Sequence, residues 1–158
     1  MYRKICLLVV ALLSNSAAAE LPGVLSWEVG RNIEITYNEV YKSLENNMFF
    51  VVFEPNIGRN LAGFAARWGE DYNRNGLRGI RSMVFCNAWY ANQVSNREPD
   101  LLALCPLHVT LYQRGDITHV VFIRPTHVGD DSDAMPLLQE LEQAVSKAIQ
   151  AGVDAAAR

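Results

Sequence analysis

The chain has 158 residues, 50% hydrophobic and 20% charged, with a formal net charge of −3. That length suits one ordinary domain with a sufficient core of its own. The mild acidity argues against nucleic acid as a partner, because nothing in the balance would hold a phosphate backbone.

At the start, "MYRK" carries Arg3 and Lys4, "ICLLVVALL" is an uncharged apolar run, and "SNSAAA" ends in small residues before Glu20. This is the three-part pattern of a secretory signal peptide, expected over residues 1–19. The run of about nine residues falls well short of the roughly 20 that span a bilayer, so no membrane insertion is expected after cleavage. Cys6 opens the apolar run instead of standing at a cleavage point, which argues against a lipoprotein. The expected product is periplasmic or secreted and begins near Glu20; losing Arg3 and Lys4 takes the formal charge from −3 to −5. One domain over 20–152 and a short Ala-rich tail at 153–158 complete the layout.

The alternation of Ile33 and Ile35 in "RNIEITY" predicts a half-buried strand, with Asn38 capping a helix over "NEVYKSLENN" that aligns Val40, Tyr41 and Leu44. Asn46 and Asn47 tolerate the left-handed conformation that ends a helix. "MFFVVFE" predicts a buried strand stopped by Pro55. Ile57, Leu61, Phe64, Ala65 and Trp68 then form the stripe of a second helix capped by Asn56. "GEDYNRNGLRG" is a loop. Its Asp71, Asn73, Asn75 and Gly76 match half of a calcium loop, but Ser82 stands where a bidentate Glu is needed, so it is a polar turn.

"IRSMVFC" predicts a strand, and Asn87 the cap of a short helix over "AWYANQVS". "LHVTLYQ" and "ITHVVFIR" are two strands joined across "RGD". A three-residue loop there puts His108 and His119 on opposite faces; a two- or four-residue loop puts them on the same face. Ser132 opens a last helix striped by Leu138, Leu141, Val145, Ala148 and Ile149. The fold class is α+β, a mostly antiparallel sheet with helices packed on one face.

The stretch "MVFCNAWYANQVSNREPDLLALCPLHVTLYQRGDITHVVFIRP" resembles the signature region of the domain of unknown function 302 family. Cys86-Asn87 stands for its Cys-Asn-Pro element, Pro99-Asp100 with Leu102 to Pro106 for its second element, and Arg124-Pro125 for the end of its hairpin. Ala88 replaces a common proline, and Pro106-Leu107-His108 stands where many members read Pro-Cys-Asn. The resemblance implies a TATA-binding-protein-like two-layer sandwich, often a homodimer, and brings no established activity.

With Cys6 removed, Cys86 and Cys105 remain in an oxidising compartment. A disulfide, two separate buried thiols and a thiol site are all open readings. Met83, Cys86, Cys105 and His108 are soft donors of the kind that suit copper or zinc, although strand alternation sends Met83 and Cys86 to opposite faces. The candidate ligand-binding residues are Cys86, Asn87, Trp89, Asn92, Pro106 and His108. No catalytic template assembles. The leading expectation is a non-catalytic domain, without cofactor, that binds a small molecule or partner protein through the sheet face or the turn at residues 86–89. The competing one is a thiol or metal protein using Cys86, Cys105 and His108.

Overall fold

A computed structural model describes residues 21–158; the signal-peptide expectation over residues 1–19 lies outside the described residues. Strand β1 (Val24–Val29) occupies a stretch with no clear sequence pattern and pairs antiparallel with a strand that arrives nearly a hundred residues later. Helix α1 (Ile33–Asn46) follows, where "RNIEITY" was expected as a strand. Ile33 and Tyr37 fit a helical stripe as well as an alternating one. The longer pattern decides, because Ile33, Tyr37, Val40 and Leu44 are all buried while Ile35 is exposed. Asn32, not Asn38, caps this helix, its side chain accepting from Glu34 N at 2.8 Å.

Met48, not Asn46 or Asn47, takes the left-handed conformation after α1, at φ 63°. Strand β2 (Phe50–Phe53) then lies at the edge of the sheet, so "MFFVVFE" is not a buried strand. Phe49 packs inside, whereas a register shift between Val51 and Phe53 leaves Phe50, Val52 and Phe53 exposed. The second helix is broken in two, α2 (Ile57–Ala62) and α3 (Ala65–Trp68), with none of their residues buried. Gly58 and Gly63 weaken the helix, and Gly58 lies so close to β3 (Ile80–Cys86) that a Cβ there would stand 2.9 Å from Ile80 N.

Helix α4 (Ala88–Arg97) and a 3-10 segment (Pro99–Leu104) lead into β4 (Leu107–Arg114) and β5 (Ile117–Ile123). Arg114 pairs with Ile117, so the hairpin loop is Gly115-Asp116 alone and His108 and His119 share one face. Gly115, at φ 58°, supplies the left-handed residue such a short loop needs. The short α5 (Pro125–Val128) precedes α6 (Met135–Ala157), which runs on through the segment expected as a tail and buries Val153 and Ala156 there.

The five strands form one antiparallel sheet in the order β1-β5-β4-β3-β2, and the fold is α+β as expected. Met83, Phe85, Val109, Leu111, Val120 and Phe122 of the sheet meet Tyr37, Val40 and Leu44 of α1 and Leu138, Leu141, Val145 and Ile149 of α6. The two long helices touch each other closely: a Cβ on Gly152 would stand 2.6 Å from the Cα of Val40. No helix among the described residues is long and apolar enough to cross a membrane.

Candidate functional site

The ladder between β3 and β4 pairs Phe85 with Leu107, so the same register carried one step on sets Cys86 opposite Pro106, with Cys105 next to it. The sheet thus brings the two cysteines together at the mouth of the strand pair. Both are half-buried free thiols. Their shared gap is about 10 Å³, walled by Val94, Leu104, Leu107 and Leu141. Burial pushes the Cys105 thiol above its ordinary value, and the neighbouring Cys86 adds to the same effect.

Of the remaining residues singled out in the sequence, Asn87 also lines that gap and the others do not. Asn87 is structural: its Oδ1 accepts from Tyr90 N at 3.1 Å, capping α4, and its Nδ2 donates to Met48 O at 3.1 Å. Trp89 is 63% exposed. Together with Gln93 and Arg97 it faces Pro136, Leu137 and Glu140 across a shallow groove of about 210 Å³. Asn92, Pro106 and His108 are exposed, and Met83 is sealed in the core. No three His, Cys, Asp or Glu side chains among the described residues cluster as metal ligands.

A larger groove lies at the opposite end of β3. It measures about 330 Å³ and runs between α2, α3, the loop at residues 71–77 and Ile80. Leu61, Trp68 and Tyr72 line its apolar part; Asn56, Arg59, Asp71, Asn73, Arg74 and Asn75 line its polar part. Trp68 was expected to belong to a helix stripe facing the core. Instead it is 41% exposed and stacks on Phe64, ring centroids 5.2 Å apart. The loop holds its own shape, since Asn73 accepts from Leu77 N at 2.8 Å and donates to Leu77 O at 3.0 Å, and Asp71 pairs with Arg74. Two glycines inside the otherwise apolar stripe, Gly58 and Gly63, mark where the helix breaks, but nothing in the residue pattern marks the groove itself.

A second cluster missed in the sequence joins α1 to the sheet. Tyr37 lies under the Arg81 guanidinium, 3.6 Å from ring centroid to Cζ, and Arg81 pairs with Glu34. On the open sheet face, His119 stacks on Tyr112 with centroids 4.6 Å apart and lies 3.1 Å from Glu28.

A family model described as "Domain of unknown function DUF302" matches residues 25–152. The chain belongs to this family. The DUF302 match covers every strand except the first residue of β1, as well as both grooves and both thiols. A solved structure described as the crystal structure of the uncharacterized conserved protein DUF302 from Bacillus stearothermophilus is similar to this chain. Its TM-score is 0.71 at 16% identity, over 83% of this chain and 98% of that one. At that identity the likeness speaks for the fold. No curated protein sequence matches this one.

Proposed function

We propose that this DUF302 domain is an exported, non-catalytic binding domain that seats a small amphipathic molecule in the groove between α2, α3 and β3. One observation carries the reading: a volume of about 330 Å³ lies at the lower end of the roughly 300–1,000 Å³ typical of small-molecule sites. An apolar wall of Leu61, Trp68 and Tyr72 beside Arg59, the Asp71–Arg74 pair and three asparagines suits a ligand with an apolar body and a polar end. Export rests on the charged, apolar and small-residue pattern of residues 1–19. A homodimer draws support from β2, an edge strand that exposes Phe50, Val52 and Phe53.

Ligand-observed NMR with small aromatic acids, alcohols and amines tests the groove. Fragment signals that vanish in Trp68→Ala and persist in Trp89→Ala support it. The opposite pattern moves the seat to the groove between α4 and α6, and no binding at all ends the reading.

The competing reading, a copper or zinc protein, draws support from the two adjacent sulfurs. Metal analysis of the purified protein decides it: stoichiometric metal lost in Cys86→Ala favours a metal site over the binding domain.

A further inference from the structure

Cys86 closes β3, and Cys105 lies two residues before β4 at the end of the 3-10 segment, its N–H donating to Leu102 O at 2.8 Å, so both sulfurs sit on hydrogen-bonded backbone. The gap they share, about 10 Å³, has room for about one water molecule. Ala91, Val94, Leu104, Leu107 and Leu141 wall it with aliphatic groups, and Asn87 and Tyr90 complete the lining without adding a further thiol or a formal charge. Each thiol is still half-accessible from outside. Such an arrangement lets one sulfur meet a reagent in solution and the other displace it.

We propose that Cys86 and Cys105 form a thiol–disulfide exchange pair whose oxidant is a low-molecular-weight disulfide. The Cys86 thiolate attacks one sulfur of the small disulfide, breaking its S–S bond and releasing one small thiol after protonation. Cys86 is left in a mixed disulfide. Cys105 then gives its proton to solvent and attacks the Cys86 sulfur, forming the internal bond and releasing the second small thiol. Two protein thiols have lost two electrons and two protons, and one small disulfide has become two small thiols; excess small thiol runs the sequence backwards.

The order of attack follows from the surroundings. Burial, and then the adjacent Cys86, raise the Cys105 thiol and disfavour it as the first nucleophile, so the first attack is assigned to Cys86. The fixed register of β3 and β4 then places Cys105 as the resolving partner. This inference is independent of ligand binding in the groove by α2, which lies at the other end of β3.

The experiment equilibrates the reduced, purified protein in buffers of oxidised and reduced glutathione, quenches with acid, alkylates free thiols and reads the mass. Both thiols are expected to disappear together, with a midpoint set by the squared concentration of reduced glutathione divided by the concentration, not squared, of oxidised glutathione. Cys105→Ser accumulates the glutathione mixed disulfide on Cys86, and in Cys86→Ser the Cys105 thiol survives longer than in the wild type by about an order of magnitude. Near-UV circular dichroism verifies that each variant is folded; should one fail to fold, the wild-type titration alone decides. Thiols lost one at a time with persistent wild-type mixed disulfides, or both thiols intact in the most oxidising buffer, overturn the proposal.

Discussion

The Tyr37 hydroxyl donates to Glu54 Oε2 at 2.8 Å, tying the middle of α1 to the residue just beyond β2. The ring is only 2% exposed, and the same hydroxyl lies 3.2 Å from the Ser82 carbonyl of β3. Three elements therefore meet on one phenol. Tyr37→Phe keeps the ring packing and removes the polar joint, and it should cost about 1–2 kcal/mol. A urea midpoint unchanged from wild type would show the joint to be idle.

The same residue predicts a pH dependence. Burial first, then the Glu54 carboxylate, push the Tyr37 phenol well above its ordinary value. A group raised in the folded state contributes fully below its unfolded value and loses that contribution as pH rises toward the folded one. Stability should therefore fall as pH climbs above about 10, the ordinary value for tyrosine. Tyr90, raised by burial and by Glu140, acts in the same direction, so Tyr37→Phe should flatten the decline without abolishing it. Denaturation curves across that range in both proteins provide the comparison.

Gly152 lets α1 and α6 touch backbone to backbone, with Ser43 Oγ donating to Ala148 O at 2.7 Å one turn away. Gly152→Ala puts a methyl against the Val40 backbone, which cannot step aside as a side chain would. We expect a loss of about 1–3 kcal/mol, despite alanine's better helix propensity. A thermal midpoint at or above the wild-type value would mean that the helices separate freely.

Asn87→Ala should cost about 1–2 kcal/mol, because it removes the α4 cap and the donor that holds the left-handed Met48 by its carbonyl. Asn87→Asp retains the cap oxygen and should recover most of the loss. Equal losses in the two variants would assign the whole effect to the Met48 contact.

Oxidation of Cys86 and Cys105 closes a loop around α4 and the 3-10 segment. A loop of about 20 residues predicts that the oxidised protein is more stable than the reduced one by about 3 kcal/mol. Guanidinium denaturation of the same preparation, before and after reduction, measures the difference directly.

The sequence carried the architecture where long patterns were involved: the stripe of α6, the hairpin of β4 and β5 and the Asn87 cap all stand where residue spacing put them. Short patterns misled. Ile33 and Ile35 alternate like a strand, but the cap at Asn32 and the burial of Leu44 three turns on belong to a helix. The apolar run at 48–54 concealed an edge, since hydrophobicity alone cannot tell whether a neighbouring strand lies on both sides. Cys86 and Cys105 were legible as a pair, and the register of β3 and β4 brings them together. The groove was not legible, because it is made by how far α2 and the loop after α3 stand from β3, a distance that no residue pattern encodes.

The layering has a consequence for how the polypeptide reaches this state. The apolar side of the sheet is finished only when α6, which follows every described strand in chain order, lies down on it beside α1. A nascent or truncated chain lacking residues 135–157 has its strands in hand and no lid for them, and must be kept from self-association by a chaperone or by remaining unfolded. Cooperative folding therefore begins late, and the smallest fragment that can stand alone has to extend through the final helix.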